Sequence, residues 1–381
     1  MSLCPYCMRN TDSNPCSHCG KPTVLPVNSG MLPAGSVING GSGQAYQIGA
    51  PLGQGGFGIT YVGLDCTLGR RVAIKEYFPV RCSWRTEDHR VVPKQGMEEL
   101  YYGGIKSFLE EARMLAALEG NESVVKVRSF FEFGGTAYLI MEYLDGKSLH
   151  QIVKKNGSMP AELLMPMLKT FLKDLHNMHL AGVIHRDIGP DNVMWMPDNS
   201  LKLMDFGCAR SMEDGKSMTV LVKPGFAPVE QYQSHGQGPY TDVYALSATV
   251  YYCLTGTVPP SAVERLEEDE LKRPSELGVK LSQKQEEALL WGLTVQPKYR
   301  PANIEVFASK LFEEDTVTAD VGRTVSIESP VIEPSVSGPS AFELILNKLS
   351  VFFKTAAEKL SNLGDKIAAW AKGLWEKISK R

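Results

Sequence analysis

Two neighbouring stretches decide the fold of this chain: His185-Arg186-Asp187-Ile188-Gly189-Pro190-Asp191-Asn192 and Asp205-Phe206-Gly207. Transfer of a phosphoryl group to a hydroxyl needs a carboxylate that orients the hydroxyl and accepts its proton, and it needs oxygen ligands for Mg²⁺ or Mn²⁺. We predict Asp187 for the first role, and Asn192 and Asp205 for the second. Each residue alone is common on protein surfaces, but the ordered set predicts a phosphoryl-transfer site that uses ATP.

A glycine-rich segment, Gly53-Gln54-Gly55-Gly56-Phe57-Gly58, lies upstream between two predicted strands, 46–52 and 59–64. Glycines let the backbone approach a polyphosphate closely and offer it N–H groups. A similar segment occurs in Rossmann dinucleotide sites, but there a helix follows the glycines directly. The strand pattern that follows here excludes that alternative. We therefore assign ATP contacts to Gly53, Gly55 and Gly58.

A lysine lies at the end of the predicted strand Val72-Ala73-Ile74-Lys75. At this spacing after a glycine-rich hairpin, Lys75 can reach the α- and β-phosphates of ATP. Such a lysine needs a carboxylate to hold it, and we predict Glu111, on an amphipathic helix whose apolar face includes Phe108 and Ala112. Glu110, one residue earlier, is the alternative.

Together these motifs resemble those of the eukaryotic-like Ser/Thr protein kinases of bacteria. The resemblance covers residues 44–312, and its most specific stretches are 52–61 and 74–79. It implies an α+β protein with a two-lobed protein-kinase fold, in which a small β-rich lobe precedes a larger helical lobe. It also implies an enzyme that uses ATP and Mg²⁺ to phosphorylate Ser and Thr hydroxyls of proteins, itself included in trans.

The resemblance implies roles for further residues. Met141-Glu142-Tyr143-Leu144 resembles the hinge that binds adenine through backbone groups, with Met141 as the gatekeeper. Glu230 would pair with Arg300, and Asp242 would be the buried aspartate that steadies the catalytic loop. The nucleotide-binding residues that the resemblance implies, besides the glycines, are Leu52, Ala73, Lys75, Glu111, Glu142, Leu144, Asn192, Met194 and Asp205.

Two departures from the family pattern lie close to Asp187. The family normally has a lysine two residues after the catalytic aspartate, where its charge offsets that of the transferring phosphate, but here that residue is Gly189. Aligned from Glu230, Lys223 takes the place of a threonine that ordinarily contacts both the aspartate and the lysine. We hypothesise that Lys223 is a catalytic residue that supplies the missing charge. The alternative is an ordinary solvated loop lysine.

Gly189 keeps a second interpretation open, that of a pseudokinase adaptor which binds nucleotide and scaffolds partners. The predicted metal ligands and Lys75 are all present, so we favour an active enzyme. Arg186 is placed to bind a phosphate on the activation segment. Three hydroxyls are candidates for that phosphate, or are ordinary loop residues: Ser211, Ser217 and Thr219.

Four of the eight cysteines lie in the first twenty residues, as Cys4-Pro5-Tyr6-Cys7 and Cys16-Ser17-His18-Cys19. Two C-x-x-C pairs at this spacing predict a tetrahedral Zn²⁺ site in a short zinc ribbon, residues 1–20, with His18 as a bystander. Two disulfides or a rubredoxin-like iron site are the alternatives. The Pro/Gly/Ser-rich residues 21–43 are predicted to be a linker.

Three further segments lie outside these motifs. The insertion 79–104, between Lys75 and Glu111, is either a docking or regulatory element or an ornamental loop. Residues 313–340 have the acidic Ser/Thr/Pro composition of a linker. Residues 341–381 combine apolar residues at helical spacing with mostly basic polar ones. We predict that this amphipathic tail contacts either an anionic membrane surface or a protein.

The overall charge is nearly balanced, with 40 basic and 43 acidic residues and a formal net charge of −3. This balance argues against a nucleic-acid partner. The first residues lack the basic and apolar regions of a secretory signal, and no apolar run is long enough to span a membrane. We expect a cytoplasmic protein, peripheral at the inner face of the membrane if the tail binds there.

Overall fold

The computed structural model describes residues 2–26, 30–118, 120–206, 210–211, 223–232 and 236–313, with residues 42 and 210–211 described as backbone only. The tail 341–381 and the predicted acidic linker beyond residue 313 lie outside the described residues, as do Ser217 and Thr219. Within the described ranges, no helix is both long enough and apolar enough to cross a membrane.

The small lobe consists mainly of β-strands, whose bounds are β1 (Ser2–Leu3), β2 (Asn10–Thr11), β3 (Val37–Asn39), β4 (Ala45–Gln54), β5 (Gly58–Asp65), β6 (Arg70–Tyr77), β7 (Ser83–Arg85), β8 (Val91–Pro93), β9 (Val127–Phe133) and β10 (Thr136–Glu142). Six of them form an antiparallel sheet in the order β3-β4-β5-β6-β10-β9. The glycine-rich segment joins β4 to β5, which confirms that a strand follows the glycines. Since β6 lies between β5 and β10, Lys75 lies in the middle of the sheet.

Helix α1 (Glu98–Ala116) packs against β9 and β10. Its buried residues recur every three or four positions, as on one face of an amphipathic helix, and they are Tyr101, Ile105, Phe108, Ala112 and Leu115. Glu98 and Glu99 lie in the first turn, where their charges interact favourably with the helix dipole. The amphipathic helix predicted around Phe108 is therefore confirmed.

The insertion between β6 and α1 belongs to the core of the small lobe. Its hairpin β7–β8 brings Arg85 to Glu76 of β6, with Nη2 2.6 Å from Oε2 and side chains only 2% and 0% exposed. Tyr138 and Tyr61 also donate hydrogen bonds to Glu76, at 2.7 and 3.1 Å. A buried ion pair needs such additional partners to offset its desolvation. The ornamental-loop interpretation is wrong, because the hairpin supplies the cation that the buried Glu76 requires.

Part of the predicted linker 21–43 is also built into the small lobe, which corrects that prediction. Strand β3 pairs with β4, and its central residue, Ile38, is 1% exposed. Further upstream, the backbone N–H of Leu32 donates to the Tyr61 hydroxyl at 3.1 Å. Strands pair through backbone groups, so one buried side chain in an otherwise polar stretch is enough to add an edge strand.

The large lobe is mainly helical, and its elements are β11 (Lys147–Ser148), α2 (Leu149–Asn156), α3 (Ala161–Leu180), β12 (Val183–Ile184), β13 (Val193–Trp195), β14 (Leu201–Leu203), β15 (Arg210–Ser211), α4 (Pro239–Thr255), α5 (Glu264–Glu267), α6 (Gln283–Gly292) and α7 (Ile304–Leu311). Helix α4 is buried along nearly its whole length, because α2, α6 and α7 pack around it. It ends at Gly256, whose left-handed φ of 73° terminates the helix. Helices α3 and α4 agree with the helical second lobe that the resemblance implies.

Candidate active site

The loop 185–192, between β12 and β13, is held in place by Asp242 of α4. The Asp242 carboxylate accepts hydrogen bonds from the backbone N–H groups of His185 and Arg186, both at 2.8 Å, and it contacts His179 Nε2 at 2.8 Å. Burial alone would raise the pKa of Asp242, but these partners outweigh it and lower the pKa. The ionised carboxylate also holds Arg186 at a φ of 65°, which side-chain-bearing residues rarely adopt. The structural role predicted for Asp242 is confirmed.

Asp187 and Asn192 lie at the two ends of a short hydrogen-bonded segment of this loop. Asn192 Nδ2 donates both to the backbone oxygen of Asp187, at 2.8 Å, and to its Oδ2, at 2.9 Å. These bonds hold the Asp187 carboxylate in one orientation and leave the amide oxygen of Asn192 as the atom suited to a metal ion. The side chain of Asp187 is 23% exposed, so an acceptor hydroxyl can reach it.

On the small-lobe side, Lys75 pairs with Asp205, with Nζ 2.6 Å from Oδ1. This ammonium group is the main reason that the pKa of Asp205 is lowered. The partner predicted from the sequence was Glu111, but its buried Oε1 accepts no hydrogen bond from any described residue. Burial raises the pKa of Glu111 to about 7, although the charge of Lys75 opposes the rise. Glu110 is half-exposed beside Lys106, which excludes it as the alternative.

In this structure the short contact of Lys75 is with Asp205, while the charge of Lys75 also acts on Glu111, so the predicted Lys75–Glu111 pair stays a prediction. The physical reason is that two carboxyls lie near one ammonium group, and the more exposed one remains ionised at lower cost. Asp205 also adopts a left-handed φ of 63°, at the point where the chain leaves the large-lobe strand pair β13–β14.

The elements around the predicted adenine pocket follow the resemblance. The glycine-rich hairpin is closed by a hydrogen bond from Gly55 N–H to Gly58 O, at 2.9 Å. The remaining predicted nucleotide contacts lie on the strands and the hinge: Leu52 and Gly53 on β4, Ala73 on β6, Glu142 at the end of β10, Leu144 after it, and Met194 on β13. Glu142 Oε1 accepts a hydrogen bond from Lys202 Nζ at 2.7 Å. Sequence reasoning missed Lys202, which ties the hinge to β14.

Lys223 lies beside the glycine that replaces the lysine of the family. Its Nζ is 3.0 Å from Asp187 Oδ1. A Cβ atom built on Gly189 would lie 3.8 Å from the same Nζ and 3.9 Å from Cδ of Lys223. The lysine side chain therefore occupies the space beside residue 189, with its charge against the Asp187 carboxylate. A purely solvated loop lysine does not have this arrangement.

The 3₁₀ turn Val229–Tyr232 contacts the loop 185–192. Glu230 pairs with Arg300, with Oε1 2.7 Å from Nη1, and both side chains are buried. This pair is confirmed. The next residue, Gln231, donates from Nε2 to the backbone oxygen of Arg186. No motif marks a glutamine as a loop anchor, so the sequence carried no signal for this contact.

The N-terminal hairpin β1–β2 brings four thiols together. The sulfurs of Cys4, Cys7, Cys16 and Cys19 all lie within 4.8 Å of one another. The Cys4–Cys19 and Cys7–Cys16 distances, 3.6 and 3.8 Å, are those of neighbouring thiols and not of disulfides. Four sulfurs this close fit a tetrahedral metal ion with four thiolate ligands.

Comparisons with known proteins agree with this geometry. A family model described as "Protein kinase domain" matches residues 46–315. Serine/threonine-protein kinase pkn2 of Myxococcus xanthus is 32% identical over 238 residues, which are 60% of this chain and 26% of that protein. Serine/threonine-protein kinase PknL of Mycobacterium tuberculosis is 30% identical over 221 residues, which are 56% of this chain and 50% of that protein.

Among solved structures, "PpkA-294 apo form" aligns with a TM-score of 0.64 and 31% identity, over 74% of this chain and 100% of that one. The chain spans only a quarter to a half of the length of the two curated relatives described above. The family model nevertheless covers most of the chain, including the loop 185–192, Lys75 and Asp205. The chain therefore belongs to the protein kinase family.

Proposed function

We propose that this chain is an active protein kinase that transfers the γ-phosphate of ATP to Ser and Thr hydroxyls of proteins. The observation that carries the proposal is the set of contacts around Asp187. Asn192 fixes its carboxylate through two hydrogen bonds, and Lys223 lies 3.0 Å from it. A pseudokinase adaptor has no need of an acceptor carboxylate that is oriented by an amide and flanked by a cation.

The proposed reaction uses residues on both sides of the cleft. Asp187 orients the acceptor hydroxyl and takes its proton, as the hydroxyl oxygen bonds to the γ-phosphorus and the bond from that phosphorus to the leaving ADP oxygen breaks. Lys75 binds the α- and β-phosphates, and Lys223 offsets the charge of the moving phosphoryl group. Asn192 and Asp205 would hold Mg²⁺ or Mn²⁺, which neutralises phosphate charge when bound.

The test is transfer of label from γ-labelled ATP to the chain itself and to a general protein substrate. Asp187→Asn should abolish labelling, while Asp191→Asn, which alters an exposed carboxylate in the same loop, should leave it close to wild type. Phosphoamino-acid analysis should find phosphoserine or phosphothreonine. Equal labelling by the wild type and Asp187→Asn would overturn the role given to Asp187, and no labelling by the wild type in the presence of bound nucleotide would favour the adaptor.

We also propose that the four N-terminal cysteines bind Zn²⁺. The four-sulfur cluster supports this assignment, since structural zinc sites are four-coordinate and accept four thiolates. Elemental analysis of the purified chain should find about one Zn²⁺ per chain, and Cys4→Ser should remove it. Iron in place of zinc would instead support the rubredoxin-like alternative.

The regulatory and cellular proposals rest on sequence alone. Phosphate on Ser211, Ser217 or Thr219 would pair with Arg186 and order the activation segment. The tail 341–381 would contact an anionic membrane surface or a protein partner, from a cytoplasmic location. Co-sedimentation of the full chain with anionic vesicles, compared with a chain ending at residue 340, distinguishes the two tail partners.

A further inference from the structure

The N-terminal metal knuckle, residues 2–20, is packed directly onto the small lobe. Pro5 O accepts a hydrogen bond from the backbone N–H of Ala50, at 2.7 Å. Met8 is only 5% exposed and forms an apolar cluster with Ala50 and Val62. Gly49 shows how close the packing is: a Cβ there would clash with Pro5 O and would lie 2.6 Å from Met8 Sδ. The knuckle therefore touches the lobe without an intervening gap at this point.

The contact point is a break in strand β4 just before the glycine-rich hairpin. The β4–β5 register shifts between Ile48 and Pro51, and again between Pro51 and Gly53. Inside the first shift, the N–H of Ala50 is donated to the knuckle and not to β5. Bulges of this kind redirect a strand and are frequent beside active sites. The backbone that leads into Leu52 and Gly53 is thus positioned in part by the knuckle.

The same apolar cluster reaches two other parts of the predicted nucleotide site. Val62 of β5 pairs in register with Ala73 of β6, the strand residue assigned to the adenine pocket. Tyr143, in the hinge, packs against the cluster, and the Arg71 guanidinium covers its ring at 4.6 Å. The cluster thus connects the knuckle to both strands of the hairpin and to the hinge.

The knuckle has little apolar material of its own. Its buried core consists of Cys4, Cys7 and Cys16 with Tyr6 packed against them. A segment this small, held by thiols, folds on metal binding, because the metal supplies most of the folding free energy. Loss of the metal should therefore release Pro5 and Met8 from β4.

We propose that metal binding by the four cysteines is coupled to nucleotide binding. Pro5 and Met8 are positioning residues, because they contact the strand β4 and the apolar cluster that borders the nucleotide site. The metal-loaded knuckle holds the β4 bulge and the hinge in the arrangement that binds ATP. Coupling of this kind is reciprocal, so bound nucleotide must also strengthen metal binding. The inference rests on the proposed nucleotide site, but it requires no phosphoryl transfer.

The experiment measures the Kd of a non-hydrolysable ATP analogue by calorimetry, with the full chain either zinc-loaded or stripped by a chelator and returned to excess Mg²⁺. Mg²⁺ does not replace zinc at a thiolate site, because it prefers oxygen ligands. Metal removal should raise the Kd of the analogue by at least about 5-fold, which is the lower end of typical coupling between sites. An unchanged Kd would overturn the inference, whereas no binding by the zinc-loaded chain would overturn the proposed function instead.

Two variants keep the test decisive if the stripped chain unfolds. Met8→Ala removes the docking side chain and is the cleaner of the two, because the Cβ of Gly49→Ala would meet not only Pro5 O and Met8 Sδ but also Val62 O of β5, at 2.8 Å. Neither variant changes a cysteine. Both variants should retain about one Zn²⁺ per chain, and both should raise the Kd of the analogue by a similar factor. The matched controls are Ser17→Ala in the knuckle and Gly41→Ala, whose Cβ meets no atom within 4 Å. Wild-type nucleotide affinity in both zinc-loaded docking variants would show that the knuckle does not position the site.

Discussion

Two lysines of the cleft each pair with a carboxylate of the proposed catalytic site, yet they are positioned in different ways. Lys75 lies in the middle of the six-stranded sheet, with β5 and β10 on either side, and its side chain is 13% exposed beside Asp205. Lys223 lies in a loop, and its side chain is 36% exposed beside Asp187. Regular secondary structure fixes the first lysine, whereas the second depends on where a loop returns to the cleft.

The difference shows which part of a kinase site can be moved along the chain. A lysine that must lie under a glycine-rich hairpin needs a particular strand position, since its neighbours in the sheet set its direction. A charge that must lie near the moving phosphoryl group can come from any segment that passes there. Gly189 and Lys223 together are consistent with such a relocation, because the lysine side chain fills the space beside the glycine.

The largest expected effect is at the sheet lysine. Lys75→Met should lower kcat/KM by roughly 10³-fold, because it removes the cation from both the phosphates and Asp205. Steady-state kinetics with a peptide substrate measures the loss. Lys106→Met, at an exposed position on α1, is the matched control and should stay near wild type. Wild-type turnover by Lys75→Met would show that Lys75 takes no part in the reaction.

The loop lysine should show a smaller loss with a different distribution. Lys223→Ala should lower kcat by roughly 10²-fold and leave ATP affinity nearly unchanged, since Lys223 contacts Asp187 and none of the residues assigned to adenine. The measurement is kcat against the Kd of an ATP analogue, with Lys280→Ala, an exposed lysine of the large lobe, as control. If the affinity for the ATP analogue falls as much as kcat, Lys223 contributes to nucleotide binding as Lys75 does. The proposed difference between the two lysines would then be wrong.

A rescue experiment tests relocation directly. In the Lys223→Ala background, Gly189→Lys should recover about tenfold of the lost kcat, because a side chain at 189 starts in the space that Lys223 leaves. Gly189→Met in the same background fills similar space without charge and should recover nothing. Equal recovery by Met and Lys would mean that packing, and not charge, was lost.

The last expected effect is on stability and not on turnover, and it is a pH dependence beside Lys75. Burial raises the pKa of Glu111 from 4.5 to about 7, so the folded chain binds more protons than the unfolded chain between these values. Its contribution to stability is present at low pH and is lost as pH rises through this window, by at most about 1.4 kcal/mol per pH unit. Glu111→Gln should flatten this slope in thermal unfolding, and Glu110→Gln should not. Identical slopes for wild type and Glu111→Gln would contradict the raised pKa.

Much of the site could be predicted because its motifs are local. The glycine hairpin, the strand that carries Lys75 and the loop 185–192 each occupy one short segment, and their residue types follow from phosphate and metal chemistry. The insertion 79–104 and strand β3 were not predicted correctly, because their roles depend on contacts with distant segments of the chain. Arg85 reads as a surface arginine until its pairing with the buried Glu76 is seen, and β3 has one buried side chain in a polar stretch.

The sequence by itself determined the family, the order of the lobes, the choice of Asp187 as the proposed acceptor carboxylate and the four cysteines proposed to bind a metal, because residue type and short spacing carry that information. Only the tertiary structure decided that Lys75 pairs with Asp205, that Lys223 lies against Asp187, and that Pro5 is bonded to Ala50. Each of these contacts joins residues from separate segments of the chain. Periodicity and spacing describe neighbours along the chain, whereas the packing of whole elements sets the distances between such segments.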